Sequence, residues 1–186
     1  MHQTINKLLK TPRHKFFSLV LNPSQKSFDL DCTPPEVQPF ETGFLGYTGA
    51  QIRDFIADRL PVDTPSNIEP CQYAILDQRS ARDETVIIAH SYSTLQDKDP
   101  EAMAEDERER WERECEEVYE EDGDDDAWFE WRVSFQDAER LATIVSFEDD
   151  FTIKLYNRDF VATHTNADGV LQLRSAFEAW SGAAIE

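Results

Sequence analysis

Between Asp99 and Asp126 the chain sets sixteen acidic residues against three arginines, a local net charge of −13. Such a run cannot enter a core, because a carboxylate taken out of water without a partner is driven to neutralise. Whatever the other residues build must therefore carry this block outside. The full chain of 186 residues has a formal net charge of −20, so more than half of that charge is local. Residues 1–26 are the opposite, with five basic residues, no acid and a charge of +5. This balance disfavours direct binding to nucleic acid or to an anionic membrane, both of which repel an acidic surface.

Hydrophobic residues make up 40% and aromatic residues 11% of the sequence, enough for a core. Length and composition predict a single domain over 1–186, with 1–26 as a basic N-terminal segment and 97–126 as an acidic helical insertion. No apolar run approaches the roughly 20 residues of a membrane helix. Cys32, Cys71 and Cys115 are odd in number and widely spaced, which suits neither a disulfide framework nor a four-ligand zinc site. A cytoplasmic location is expected. A mitochondrial presequence shares the acid-free N-terminus but is richer in Arg and Ser.

Residues 16–21 and 27–30 read as a pair of short strands around the Asn22-Pro23-Ser24 turn. Thr48 is placed to cap a helix over 49–60, which Pro61 stops. Strands are expected at 72–77, 85–90, 128–135 and 151–156, and helices at 136–147 and 170–181, with a turn at Asn166–Gly169. In 128–135, Phe129, Trp131, Val133 and Phe135 alternate with Trp128, Glu130, Arg132 and Ser134, as in a strand with two unlike faces. Within the acidic block, Ala104, Trp111, Cys115 and Val118 form a narrow apolar stripe. The stripe predicts a docked helix over 107–119 flanked by mobile segments at 96–103 and 121–126. The mixture lacks a strict βαβ rhythm. It gives an α+β fold: a small mixed or mostly antiparallel sheet, helices on one face and the acidic helical insertion.

The acidic run fails as a calcium loop. Starting from Asp122, Ala127 falls where glycine is needed and Val133 where glutamate is needed. Nucleophile elbows, zinc-protease helices and phosphate-cradling glycine loops are missing from the sequence, so no metal, cofactor or catalytic residue is assigned. The expected function is a non-enzymatic interaction domain that binds a basic protein partner. Its contact residues would be Glu109, Glu112, Glu116, Glu120, Asp124, Asp125 and Trp128. The alternative is a small enzyme or small-molecule-binding protein with a polar cleft near Asp77, Arg79, His90 and Arg132. The sequence leaves the oligomeric state open.

Four segments also carry a likeness to a known family: Tyr73-Ala-Ile-Leu-Asp-Gln-Arg79, Thr85-Val-Ile-Ile-Ala89, Trp131-Arg-Val-Ser-Phe135 and Asp168-Gly-Val-Leu171. Over roughly residues 44–173 the chain resembles a domain of unknown function found in fungal and bacterial proteins. The family's Asn-rich stretch is poorly matched around Ser146–Asp150. The resemblance implies one compact domain interrupted by the acidic block, and carries over no activity.

Overall fold

The computed structural model describes residues 2–11, 16–25, 32–59, 71–93, 104–106, 126–147 and 150–182. Its sheet has three antiparallel strands in the order β1 (Gln72–Ile75), β2 (Thr85–Ser93) and β3 (Asp126–Ser134). The Phe135 amide donates to the Glu84 carbonyl at 2.9 Å, which fixes the register of β2 on β3. In that register Val86 faces Val133 and Ile88 faces Trp131, all four buried. The other face of β3 carries Glu130, Arg132 and Ser134, exposed or half-buried. The alternation expected for this strand is therefore observed. β2 ends at Ser93 and β3 begins at Asp126.

The chain divides into two compact units, one formed by residues 1–89 and 130–186, the other by residues 90–129. The smaller unit contains the ends of β2 and β3, with His90, Ser91 and Tyr92 buried.

Among the described residues of the larger unit are seven helices: α1 (His2–Lys10), α2 (Gly49–Arg59), α3 (Ser80–Asp83), α4 (Phe135–Phe147), α5 (Asp150–Tyr156), α6 (Arg158–Thr163) and α7 (Leu173–Ser181). Helix α5 packs against α4, α6 and α7. Phe151 at its start is fully buried, with ring centroids 5.2 Å from Phe177 and 5.3 Å from Trp180. The Trp131 indole donates to the Leu155 carbonyl at 3.1 Å, tying α5 to β3. These contacts correct the expectation of a strand at 151–156. A strand would bury residues 151, 153 and 155 together. Instead Phe151, Thr152 and Leu155 are buried and Ile153 is 46% exposed, which is the spacing of a helix face.

The expected strand at 16–21 is also corrected, because these residues are irregular. Their backbone groups are satisfied singly: Leu19 donates to the Thr33 hydroxyl, Leu21 to the Gln25 side chain, and the Phe17 and Leu21 carbonyls accept from Thr33 and Gly43. The turn after them is present, with Gln25 donating to the Asn22 carbonyl. Residues 27–30 lie outside the described residues. Helix α2 begins as expected, on a reciprocal pair in which Thr48 N–H donates to the Gln51 side chain and Gln51 N–H to the Thr48 hydroxyl.

The C-terminal segment closes the outer edge of β3. Leu171 N–H donates to the Arg132 carbonyl at 2.8 Å, and Leu171 bridges in turn to Thr165.

The basic N-terminus is a docked helix. Ile5 and Leu8 are each 4% exposed, and the Asn6 amide behaves as a strand would. It accepts from the Glu36 and Val37 amides at 2.8 and 2.7 Å and donates to the Val37 carbonyl at 3.1 Å. Lys7 pairs with Glu84 and Lys10 with Glu36. Glu36 and Glu84 are also the non-glycine residues with positive φ among the described residues, 81° and 58°. Asn6→Ala is expected to lower stability by about 1–3 kcal/mol, since it orphans backbone groups at a strained residue. Lys10→Ala should cost below about 0.5 kcal/mol, because its pair is exposed. Urea titration of both variants separates the two effects.

Candidate functional site

At the end of the hairpin formed by Thr85 and Ser134, three separate parts of the chain meet. Asp77 and Ser80 are three residues apart and bind each other reciprocally. The Ser80 amide and hydroxyl both donate to Asp77 Oδ1 at 2.9 Å, and Asp77 N–H donates to Ser80 Oγ at 3.1 Å. This pairing fixes the turn into α3 and aims the Asp77 carboxylate at Arg132. Arg132 reaches it with two nitrogens, Nη2 on Oδ2 and Nη1 on Oδ1, and Nη1 also donates to Thr85 Oγ1 at 2.9 Å. Thr85 donates onward to Asp83 Oδ1 at 2.6 Å, and Asp83 accepts from Arg79 Nε through its other oxygen. The relay Asp77–Arg132–Thr85–Asp83–Arg79 thus joins the loop before α3, both long strands and α3 itself.

The Arg132 side chain is 12% exposed and that of Asp77 36%. Burial alone would raise the Asp77 pKa. The Arg132 and Ser80 hydrogen bonds and the guanidinium charge outweigh it and bring the carboxyl down to about 2. The Asp83 carboxyl is lowered as well, against its slight burial, by the Thr85 hydroxyl and by Arg79.

Above this relay is an open cleft of about 630 Å³. It is lined by Arg79 just before α3, by Arg82 and Asp83 of α3, and by Thr85 and Ser134. Asn166 and Asp168, from the turn Asn166–Gly169, and Val170 after it also line it. Asn166 Oδ1 accepts from the Asp168 and Val170 amides at 3.0 and 2.9 Å, and Gly169 takes φ 72°. A side chain at Gly169 would be strained by that φ and would face Arg79 Nη1 at 4.0 Å.

The structure therefore joins Asp77, Arg79 and Arg132 from the expected polar cleft and leaves His90 out. Thr85 and His90 are five residues apart on one strand, so their side chains leave opposite faces. His90 is 1% exposed, and burial lowers its pKa to about 4. The sequence reading missed Arg82, Thr85, Ser134 and Asp168 as cleft residues. The Asn-x-Asp-Gly turn was the available signal for the last of these.

Of the expected partner-binding residues, Glu109, Glu112, Glu116, Glu120, Asp124 and Asp125 lie outside the described residues, as does the helix over 107–119. Trp128 lies on β3 and is half-buried. Ala104 is exposed, so the first member of the proposed docking stripe is not buried. Among the described residues no group of His, Cys, Asp and Glu could hold a metal ion, and no helix is long and apolar enough to cross a membrane. Comparison of the chain with family models, with curated proteins and with solved structures gives no match.

Proposed function

We propose that this chain is a non-catalytic, cytoplasmic interaction domain that binds a basic protein partner through residues 99–126. One observation carries the reading. β2 and β3 are neighbours in the sheet, the first ending at Ser93 and the second beginning at Asp126, so the acidic run lies in the connection between them. Hairpin connections are commonly about 2–5 residues. This one is far longer, and its net charge of −13 is a standing cost in self-repulsion. A cationic partner removes that cost on binding and gains the summed attraction of carboxylates such as Glu109, Glu112, Glu116 and Glu120. Asp124 and Asp125 extend the acidic surface to the start of β3, where Trp128 offers an aromatic contact.

The test is binding of a lysine-rich peptide by the full chain at low and moderate salt. Affinity should fall at least about tenfold between 50 and 300 mM NaCl, as screening shortens the reach of the charges. Replacing residues 97–125 by Asn-Gly should abolish binding while leaving the thermal unfolding of the domain measurable. Neutralising as many acids outside 99–126 should leave binding within about threefold. Binding of equal strength after the replacement would overturn the proposal.

A further inference from the structure

The cleft between α3 and the Asn166–Gly169 turn contains two opposite charges that do not meet. Arg79 is held by Asp83, and Asp83 in turn by Arg79 and Thr85, so these three groups satisfy one another. Arg82 and Asp168 line the same cleft from two separate parts of the chain, and neither has an ion-pair partner among the described residues. Two surface charges of opposite sign on a closed surface would gain by pairing. Each is carried by a fixed element. Arg82 belongs to α3, anchored before its start by the Asp77–Ser80 pair and ended at left-handed Glu84. Asp168 belongs to a turn fixed by Asn166 and by Gly169. Thr85, Ser134 and Val170 line the cleft with them.

We propose that this cleft binds a small zwitterion of the amino-acid class, its carboxylate on Arg82 and its ammonium on Asp168. A guanidinium fork matches a carboxylate, and a lone carboxylate accepts from an ammonium. A simple anion would meet Asp168 as a like charge, and a simple cation would meet Arg82, so the cleft favours a molecule carrying both. The volume of about 630 Å³ lies within the ordinary range of roughly 300–1,000 Å³ for small-molecule sites. The site owes nothing to the acidic connection, so it stands or falls separately from the interaction described above.

The experiment is a nuclear magnetic resonance titration of the full chain with a panel of neutral amino acids, acetate, methylamine and inorganic phosphate. At least one amino acid should give saturable shifts of the 79–85 and 166–170 amides by about 10 mM. Acetate, methylamine and phosphate should bind at least about tenfold more weakly. Arg82→Gln and Asp168→Asn should each weaken amino-acid binding at least about tenfold. Neither should shift the unfolding midpoint, since both side chains are exposed and the turn uses the Asp168 amide rather than its carboxylate. The proposal is overturned if no amino acid saturates, if acetate or phosphate alone binds as tightly, or if binding survives both substitutions.

Discussion

Phe151→Ala is expected to destabilise the domain by about 3–5 kcal/mol, the range for removing a buried aromatic ring from a core. Phe151 is fully buried and touches Phe177 and Trp180 of α7, so the void opens between α5 and α7. For a chain of this length the thermal midpoint should fall by roughly 10 °C or more. The companion variant is Ile153→Ala, two residues away and 46% exposed, which should cost below about 1 kcal/mol. The pair discriminates between helix and strand directly. A strand would place 151 and 153 on one face and make the two variants similar. Calorimetry or urea unfolding of both gives the answer, and comparable losses would contradict the α5 assignment.

The second large effect belongs to the Asp77–Arg132 pair. Asp77→Ala removes the acceptor of a guanidinium that is 12% exposed and leaves that charge nearly buried without its carboxylate. Breaking a fully buried pair in this way costs about 3–5 kcal/mol. Because Asp77 itself is more than a third exposed, about 2–3 kcal/mol is expected here. The pH dependence follows from the same geometry. The Asp77 carboxyl sits at about 2 in the fold against an ordinary 3.8. Its contribution is therefore complete above pH 3.8 and is lost as pH falls from there through 2. After discounting for solvent screening it amounts to about 1–2 kcal/mol. His90 acts at higher pH. Burial holds it at about 4 against 6.5. Below 6.5 the unfolded chain takes up a proton that the fold refuses, so stability falls between 6.5 and 4. Urea midpoints measured from pH 7 to pH 2 should decline in these two windows. His90→Gln should flatten the upper window and Asp77→Asn the lower, each compared with the parent chain, whose acidic block is discharged equally in all three proteins. A variant that leaves its own window unchanged would show that the group is not held as described.

The elements that sequence reading placed well are those whose pattern is local. β3 announces itself by alternation, α4 by Ala138, Leu141, Ala142 and Val145 on one face, and α2 by the Thr48–Gln51 cap. The reading failed where two periods fit the same residues. In 151–156, Phe151, Ile153 and Leu155 alternate as a strand would, while Phe151, Thr152 and Leu155 share a helical face. Packing on α4, where Thr152 donates to the Ile144 carbonyl, decides for the helix. Helix α6 was passed over because it buries no residue and so has no apolar stripe to find, only its Asn157 cap. The cleft was legible as residue types but not as partners. Asp77 and Arg132 are 55 positions apart, and nothing local says that they meet. His90 is separated from the cleft by strand parity with Thr85, a residue that only the fold places there.

The closure of β3 by Leu171 has a consequence for the life of the chain before it is complete. Residues 126–134 leave the ribosome ahead of 165–171, so the outer edge of β3 stays bare for a time. That edge exposes the Arg132 carbonyl in a strand carrying two tryptophans and a phenylalanine, an open template for another strand. A nascent or prematurely ended chain lacking residues 165–171 would therefore be the aggregation-prone form of this protein, held in solution by the repulsion of the acidic connection that directly precedes the strand.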